Sequence, residues 1–301
     1  MRDLWASGQA PSSDDVVAEC VYCTRLIGSD PSLVLHGGGN SSVKTTTTDV
    51  TGAETPTLRV KGSGWDMATI EAPGLTAVRL ERLHELLEVD SLSDPDMMRE
   101  LGAARLDPAA PNPSVEALLH AYLPHPAVQH SHADAIVNLT NLTNGDEVVR
   151  EVFGDEVVVI PYVMPGFDLA RTVRDAWPSE SHDATVGMVL LNHGLFTFGD
   201  DSKTAYERHH HLICRAEEWL DRNAPDAAEL SMGLPQGLTR ELAELRRLAS
   251  EVAGAPLIME RHTEGPVPRF VQRGDLASLA GRGPLTPDHV IRTKRRPMVG
   301  R

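Results

Sequence analysis

Residues 33 to 44 read LVLHGGGNSSVK, three consecutive glycines and an asparagine directly after a short apolar run. Glycine accepts positive φ and lets another group come close to the backbone, at an entropic cost. A chain with such a stretch uses it either as a tight turn or as a cradle for an anion. The rest of the sequence narrows the choice. No Walker A string occurs, and GSGWDM at 62–67 lacks the third glycine of a dinucleotide fingerprint. HGGG at 36–39 would suit an oxyanion loop only beside a G-x-S-x-G nucleophile elbow, which the chain does not contain.

Composition removes other classes. The formal net charge of −15 argues against a phosphate backbone as partner, and an aromatic content of 4% argues against a stacking platform for single strands. Apolar stretches such as VVVI and MVLL are far too short to span a bilayer. The segment MRDLWASGQAPSSDD carries no apolar core of a secretion signal, so the expectation is a cytoplasmic protein without membrane or nucleic-acid partners. Cys20 and Cys23 form a lone CxxC inside SSDDVVAECVYCTRLIG, which reads as a helix capped by Ser13 and not as a redox or zinc motif. The sequons at Asn40, Asn138 and Asn141 are accidental on the same view.

Periodicity gives alternating helices and strands. TAVRLERLHELLEV (76–89) reads as a helix with Leu80, Leu83 and Leu87 on one face. NPSVEALLHAYL opens another, with Asn112 or Ser114 as its cap. DEVVVIPYV (155–163) and VGMVLLNHG (186–194) read as buried strands, and TAYERHHHLICRAEEWLDR (204–222) as a long amphipathic helix. Beyond about 223 the pattern changes to one helix, GLTRELAELRRLASEV, a strand-like PLIME and a basic tail. The expected division is a catalytic domain over 1–222 and an extension over 223–301, packed on that domain or on a neighbouring subunit.

The histidines carry the chemistry. His130 and His132 form an H-x-H pair in a strand-like segment, so both side chains face one way, about 7 Å apart at the α-carbons. A third, His193, follows GMVLL, with Gly194 giving room beside it. Three neutral imidazoles leave a divalent ion its full charge and open positions, the arrangement of a catalytic site. The bland alternative is a set of core histidines bonded locally. His209, His210 and His211 point about 100° apart on a helix, cannot share an ion, and read as surface or interface residues.

In order along residues 14 to 220, GGGNSS, VKGSGWDMATI, PSVEALLHAYLPHPAVQHSHADA, PYVMPG and LNHGLFTFGDD resemble the class II aldolase/adducin family. GGGNSSVK, VKGSGWDMATIE and the closing GPLTPDHVIRTK are most similar to its bacterial rhamnulose-phosphate aldolase-like branch, often fused to a dehydrogenase that these 301 residues do not include. The resemblance implies a three-layer α/β/α sandwich around a largely antiparallel sheet, in a homotetramer with active sites between subunits. It implies His130, His132 and His193 as ligands of Zn2+ (or Mn2+, Co2+ or Fe2+) and Glu116 as catalytic acid/base. Tyr162 would be a proton donor from the neighbouring subunit. Gly39, Asn40, Ser63, Gly64 and Ser114 would hold the phosphate of a small phosphorylated sugar, which makes the opening stretch a cradle. One departure is Val115, where the family's sugar-phosphate aldolases often carry a second serine.

The implied reaction is reversible cleavage of a ketose 1-phosphate to dihydroxyacetone phosphate and an aldehyde through a metal-stabilised enediolate. The same site would serve a pentulose-phosphate 4-epimerase or a sugar-acid phosphate decarboxylase, which differ in pocket lining. A rival of another class is a non-catalytic adducin-like scaffold. His289 and Arg292 in TPDHVIRTK are further candidates to meet a substrate carboxylate or phosphate.

Overall fold

Successive residues of the central strands point to opposite faces of one sheet, both faces are buried, and each takes its own set of helices. The computed structural model describes residues 1–35, 37–223, 238–262 and 267–299. Its contacts divide into two units, Met1–Asn223 with Pro284–Thr293, and Ala224–Gly283 with Lys294–Arg301. His36, inside the glycine stretch, lies outside the described residues.

The first unit holds seven strands: β1 (Asn40–Thr48), β2 (Glu54–Lys61), β3 (Leu75–Arg79), β4 (Ala127–Ser131), β5 (Val157–Ile160), β6 (Gly187–Leu190) and β7 (Gly194–Gly199). Their order is β3-β2-β1-β4-β7-β6-β5, antiparallel at every step except the parallel pair β5–β6. Leu58, Val60, Val128, Val158, Ile160, Met188 and Phe196 line one face. They pack there with α2 (Leu80–Leu87), α3 (Asp94–Ala103), α4 (Ala117–Tyr122) and α7 (Phe167–Glu180). Val157, Val159, Val189 and Leu195 line the other. They meet α1 (Val16–Gly28), α5 (Asp134–Thr140), α6 (Gly145–Phe153) and α8 (Ser202–Asn223). This is the expected α/β/α sandwich. Each fully buried Leu, Ile or Phe in it contributes roughly 1.5–3 kcal/mol.

Local departures have physical causes. Residues 76–79 join the sheet as β3, paired with β2 through Thr76↔Val60 and Val78↔Leu58, so the helix begins only at Leu80. The helix expected from 112 begins at Ala117, because Pro113 bridges to Gly62 and the Ser114 amide donates to the Lys61 carbonyl at 3.0 Å. Asp15, not Ser13, caps α1, its carboxylate accepting from the Ala18 amide. After β6 the chain does not leave the sheet but turns back through residues 191–193 into β7, which lies between β6 and β4.

Among the described residues of the second unit the helices are α9 (Thr239–Ala253), α10 (Val267–Val271) and α11 (Leu276–Ala280). The strand expected at 256–260 is exposed, unpaired coil that begins on a proline. The segment 284–293 carries α12 (Pro287–Arg292) and belongs to the first unit. No helix among the described residues is long and apolar enough to cross a membrane.

Candidate functional site

Strand β4 runs between β1 and β7, placing His130 opposite Asn40 on one side and Phe196 on the other. The His130 ring stacks on Phe196 with centroids 4.0 Å apart, and its Nδ1–H donates to the Leu195 carbonyl at 3.0 Å. That bond leaves Nε2 as the free lone pair. His132 stands one residue past the end of β4, with Nδ1 2.8 Å from Asp288 Oδ1. His193 sits in the β6–β7 turn, next to Asn192 at φ +59°. A Cβ on Gly194 would lie 2.3 Å from the Ser131 carbonyl oxygen, so only glycine lets this turn close against β4.

The three imidazoles converge, their ligand atoms all within 4.8 Å of one another. His130 Nε2 and His132 Nε2 are buried without a hydrogen-bond partner. Burial and the neighbouring His132 and His193 push His130 well below the usual histidine range, and burial pushes His193 down to about 4. Both are therefore neutral at pH 7, with lone pairs for a cation. Orphaned buried nitrogens aimed at one point fit a divalent metal bound by imidazoles. The expected ligand set is thus brought together.

Glu116 faces the same point. Its Oε2 lies 3.4 Å from His130 Nε2 and its Oε1 3.4 Å from His193 Nε2. Asn40 Nδ2 donates to Glu116 Oε2 at 2.7 Å and to Ser114 Oγ at 3.1 Å. Asn40 Oδ1 is hydrogen-bonded to His120 Nε2, and His120 Nδ1 lies 2.7 Å from Ser42 Oγ. Burial lowers His120 to about 3, so it is neutral. The neutral ring then donates from Nε2 to Asn40 Oδ1 and accepts from the Ser42 hydroxyl. This chain fixes which end of the Asn40 amide meets Glu116. The Asn40 amide, expected on a phosphate, is thus committed to Glu116 and Ser114. His120 and Ser42 were missed because no sequence spacing links them to either.

A cavity of about 300 Å3 opens beside Glu116 and His132, bounded by Gly37, Gly38 and Gly39 on one wall and Ser63, Gly64 and Ser114 on another. Gly39, at φ +59°, is packed so tightly that a Cβ would lie 2.6 Å from Val34 Cγ1 and 2.8 Å from the His130 oxygen. Lys61, unnoticed in the sequence, also lines the cavity. It is 4% exposed, and its Nζ donates to the Gly37 carbonyl at 2.8 Å. Burial lowers it to about 8, against the pull of Asp66 and Glu116, which leaves it a cation at neutral pH. Asp288 and Arg292 reach the same cavity from α12. The signal for Asp288 was its place in the phrase TPDHVIRTK, though spacing could not aim it at His132.

Other candidates fall elsewhere. Tyr162 is 53% exposed, its hydroxyl 3.9 Å from Met164 Sδ, and it does not line the cavity of its own chain. His289 bonds Thr286 Oγ1 instead of facing the cavity. His209 is not a surface residue: it is fully buried, with Nε2 2.7 Å from Ser131 Oγ and Nδ1 2.9 Å from Thr197 Oγ1. Cys20 and Cys23 are buried, and burial raises both thiols, Cys20 to about 12, so neither is a reactive centre.

Comparison with known proteins identifies the family and the fold. The family model described as Class II Aldolase and Adducin N-terminal domain matches residues 18–220, and that of the class II aldolase second domain matches 236–301. A curated relative, the "Uncharacterized oxidoreductase YuxG" of Bacillus subtilis (strain 168), is 32% identical over 307 residues. That match takes in 99% of this chain but 44% of the relative, so the chain spans less than half of its length. The N-terminal class II aldolase domain of a conserved Thermoplasma acidophilum protein superposes with TM-score 0.67 at 43% identity, covering 73% of this chain and 99% of that one. An aldolase II superfamily protein from Pseudomonas syringae shares the fold at TM-score 0.51 and 17% identity, over 81% of this chain and 95% of that one.

Proposed function

The chain belongs to the class II aldolase and adducin family, and we propose that it is a divalent-metal-dependent aldolase that reversibly cleaves a ketose 1-phosphate to dihydroxyacetone phosphate and an aldehyde. The observation that carries this reading is the convergence of His130, His132 and His193, each with an orphaned buried nitrogen, beside the carboxylate of Glu116, which lies 3.4 Å from both His130 and His193. His130, His132 and His193 would hold the ion, with Zn2+ the favoured occupant and Mn2+, Co2+ and Fe2+ compatible with the same imidazoles. When bound, it supplies a Lewis acid beside the keto and hydroxyl oxygens of the substrate.

The chain's own groups do the rest. Glu116, held by Asn40, is placed to give a proton to the carbon left with the electron pair when the carbon–carbon bond breaks. In the reverse direction it removes that proton. Tyr162 would exchange a proton with the oxygen that becomes the aldehyde, reaching the site of an adjacent subunit in a homotetramer; its exposure supports that role. Lys61 and the Ser63, Gly64 and Ser114 wall give the cavity the cation and donors that a phosphate needs, with Gly39 shaping its floor.

Val115 lines this cavity where a second hydroxyl would strengthen the hold on phosphate. It is the observation behind a second reading, in which the same site acts as a sugar-acid phosphate decarboxylase or pentulose-phosphate 4-epimerase. A non-catalytic scaffold would have no use for a buried carboxylate kept against two of three converging imidazoles. The test is release of dihydroxyacetone phosphate from rhamnulose, fuculose, ribulose and xylulose 1-phosphates by metal-loaded protein. Release abolished by a chelator is the expected result. Silence across the panel would overturn the aldolase in favour of the second reading.

A further inference from the structure

His130 and His132 are two residues apart, yet they are held in different ways. His130 lies within β4, stacked on Phe196 and bonded to a β7 carbonyl. His132 lies beyond the strand, where no ladder fixes it. Its Nδ1 instead meets Asp288, a residue 156 positions away on α12. A carboxylate that is only 3% exposed has to be fully partnered, and Asp288 is. Its Oδ1 accepts from His132 at 2.8 Å, and its Oδ2 accepts from the Leu35 amide at 2.9 Å.

The glycine stretch is built around this carboxylate. A Cβ on Gly38 would lie 1.6 Å from Asp288 Oδ1 and 2.9 Å from Oδ2. No side chain can occupy position 38 while Asp288 keeps its place. The Leu35 amide, just before the glycines, anchors the second oxygen. With Nδ1–H given to a carboxylate, His132 is fixed in the tautomer whose Nε2 lone pair faces His130 and His193, and that nitrogen is the one left buried without a partner.

We infer that Asp288 is a positioning residue for the metal centre: through His132 it makes α12 part of the site, and Gly38 exists to admit it. The inference rests on the reading of the three histidines as metal ligands. Asp288 touches no substrate in this role and acts only through His132.

The test measures zinc affinity by competition with a chromophoric chelator, and the visible spectrum of the cobalt-loaded protein, for wild type, Asp288→Ala, Asp288→Asn and Gly38→Ala. Melting of each metal-free protein serves as the folding control. Asp288→Ala and Gly38→Ala are expected to lose roughly 10- to 100-fold in zinc affinity and to shift the cobalt bands. Asp288→Asn keeps one acceptor, for His132, while turning its NH2 toward the Leu35 amide, and should lose less zinc affinity and shift the cobalt bands less than Asp288→Ala. If Asp288→Ala does not fold, Gly38→Ala and Asp288→Asn decide the matter. Affinities within about twofold of wild type with unchanged cobalt spectra would overturn the inference and leave the metal site standing. A wild-type chain that takes up no zinc or cobalt would overturn both.

Discussion

Two groups of buried histidines meet around strand β4, and their surroundings differ in one respect. Behind the sheet, His209 is partnered at both ring nitrogens, by Ser131 and Thr197; His120, in front, is partnered by Asn40 and Ser42. At the end of β4, His130 and His132 are each bonded at Nδ1 and left without a partner at Nε2. All four are buried, so burial does not separate scaffold from site. What separates them is where the second nitrogen points. A satisfied imidazole braces the core, whereas an orphaned one costs free energy unless something fills the place it faces.

That contrast is open to attack from either side. The largest effect should come from His132→Ala or His130→Ala, which are expected to remove metal binding and to lower activity by roughly three orders of magnitude or more. Metal content and turnover of the purified variants check this; a variant that keeps stoichiometric metal would erase the distinction. Acid should act on both groups, since burial lowers His130 and His193 as well as His120 and His209. His120 and His209 are held to about 3 by burial, against an ordinary value of 6.5. Between those values the unfolded chain binds protons that the folded one refuses. Stability therefore falls as pH drops from 6.5 toward 3, by up to about 5 kcal/mol for each residue. Urea unfolding at a series of pH values reads this directly, and a flat profile over that window would contradict it.

Smaller changes sharpen the contrast. His209→Ala leaves two buried hydroxyls and a void, and should cost roughly 2–4 kcal/mol in stability. Its metal affinity should stay within a few-fold of wild type, since no ligand is removed; a large loss would show that His209 belongs with the site. Asn40→Ala removes the donor that orients Glu116 and should lower kcat about 10-fold or more, and it should cost roughly 1–3 kcal/mol in stability because the His120 Nε2–H loses its acceptor. An unchanged kcat would free Glu116 from Asn40.

The sandwich was legible through the family resemblance, and the individual strands and the histidine trio through short-range pattern. Short continuous apolar runs marked β5 and β6 as buried strands, and the H-x-H spacing places two rings on one side of a strand wherever that strand sits. The sequence pattern missed β3, because TAVR continues the apolar period of the helix that follows and only its pairing with β2 shows it to be a strand. It placed His209 at the surface, because three consecutive histidines hide the one that faces the sheet. Lys61, His120 and Asp288 were out of reach for a different reason. Each owes its role to a partner far along the chain: Gly37, Asn40 and His132 respectively. The glycines carried half of their message. They promised a close approach at 37–39, but not that Asp288 would be what approaches Gly38.

The most direct test of the account is the divalent-metal content of the purified wild-type chain after zinc loading and removal of excess, measured by mass spectrometry beside His132→Ala. The account predicts one ion held per chain in the wild type and none in the variant. Equal content in both, or none in the wild type, would contradict the claim that the orphaned nitrogens at the end of β4 form a metal centre.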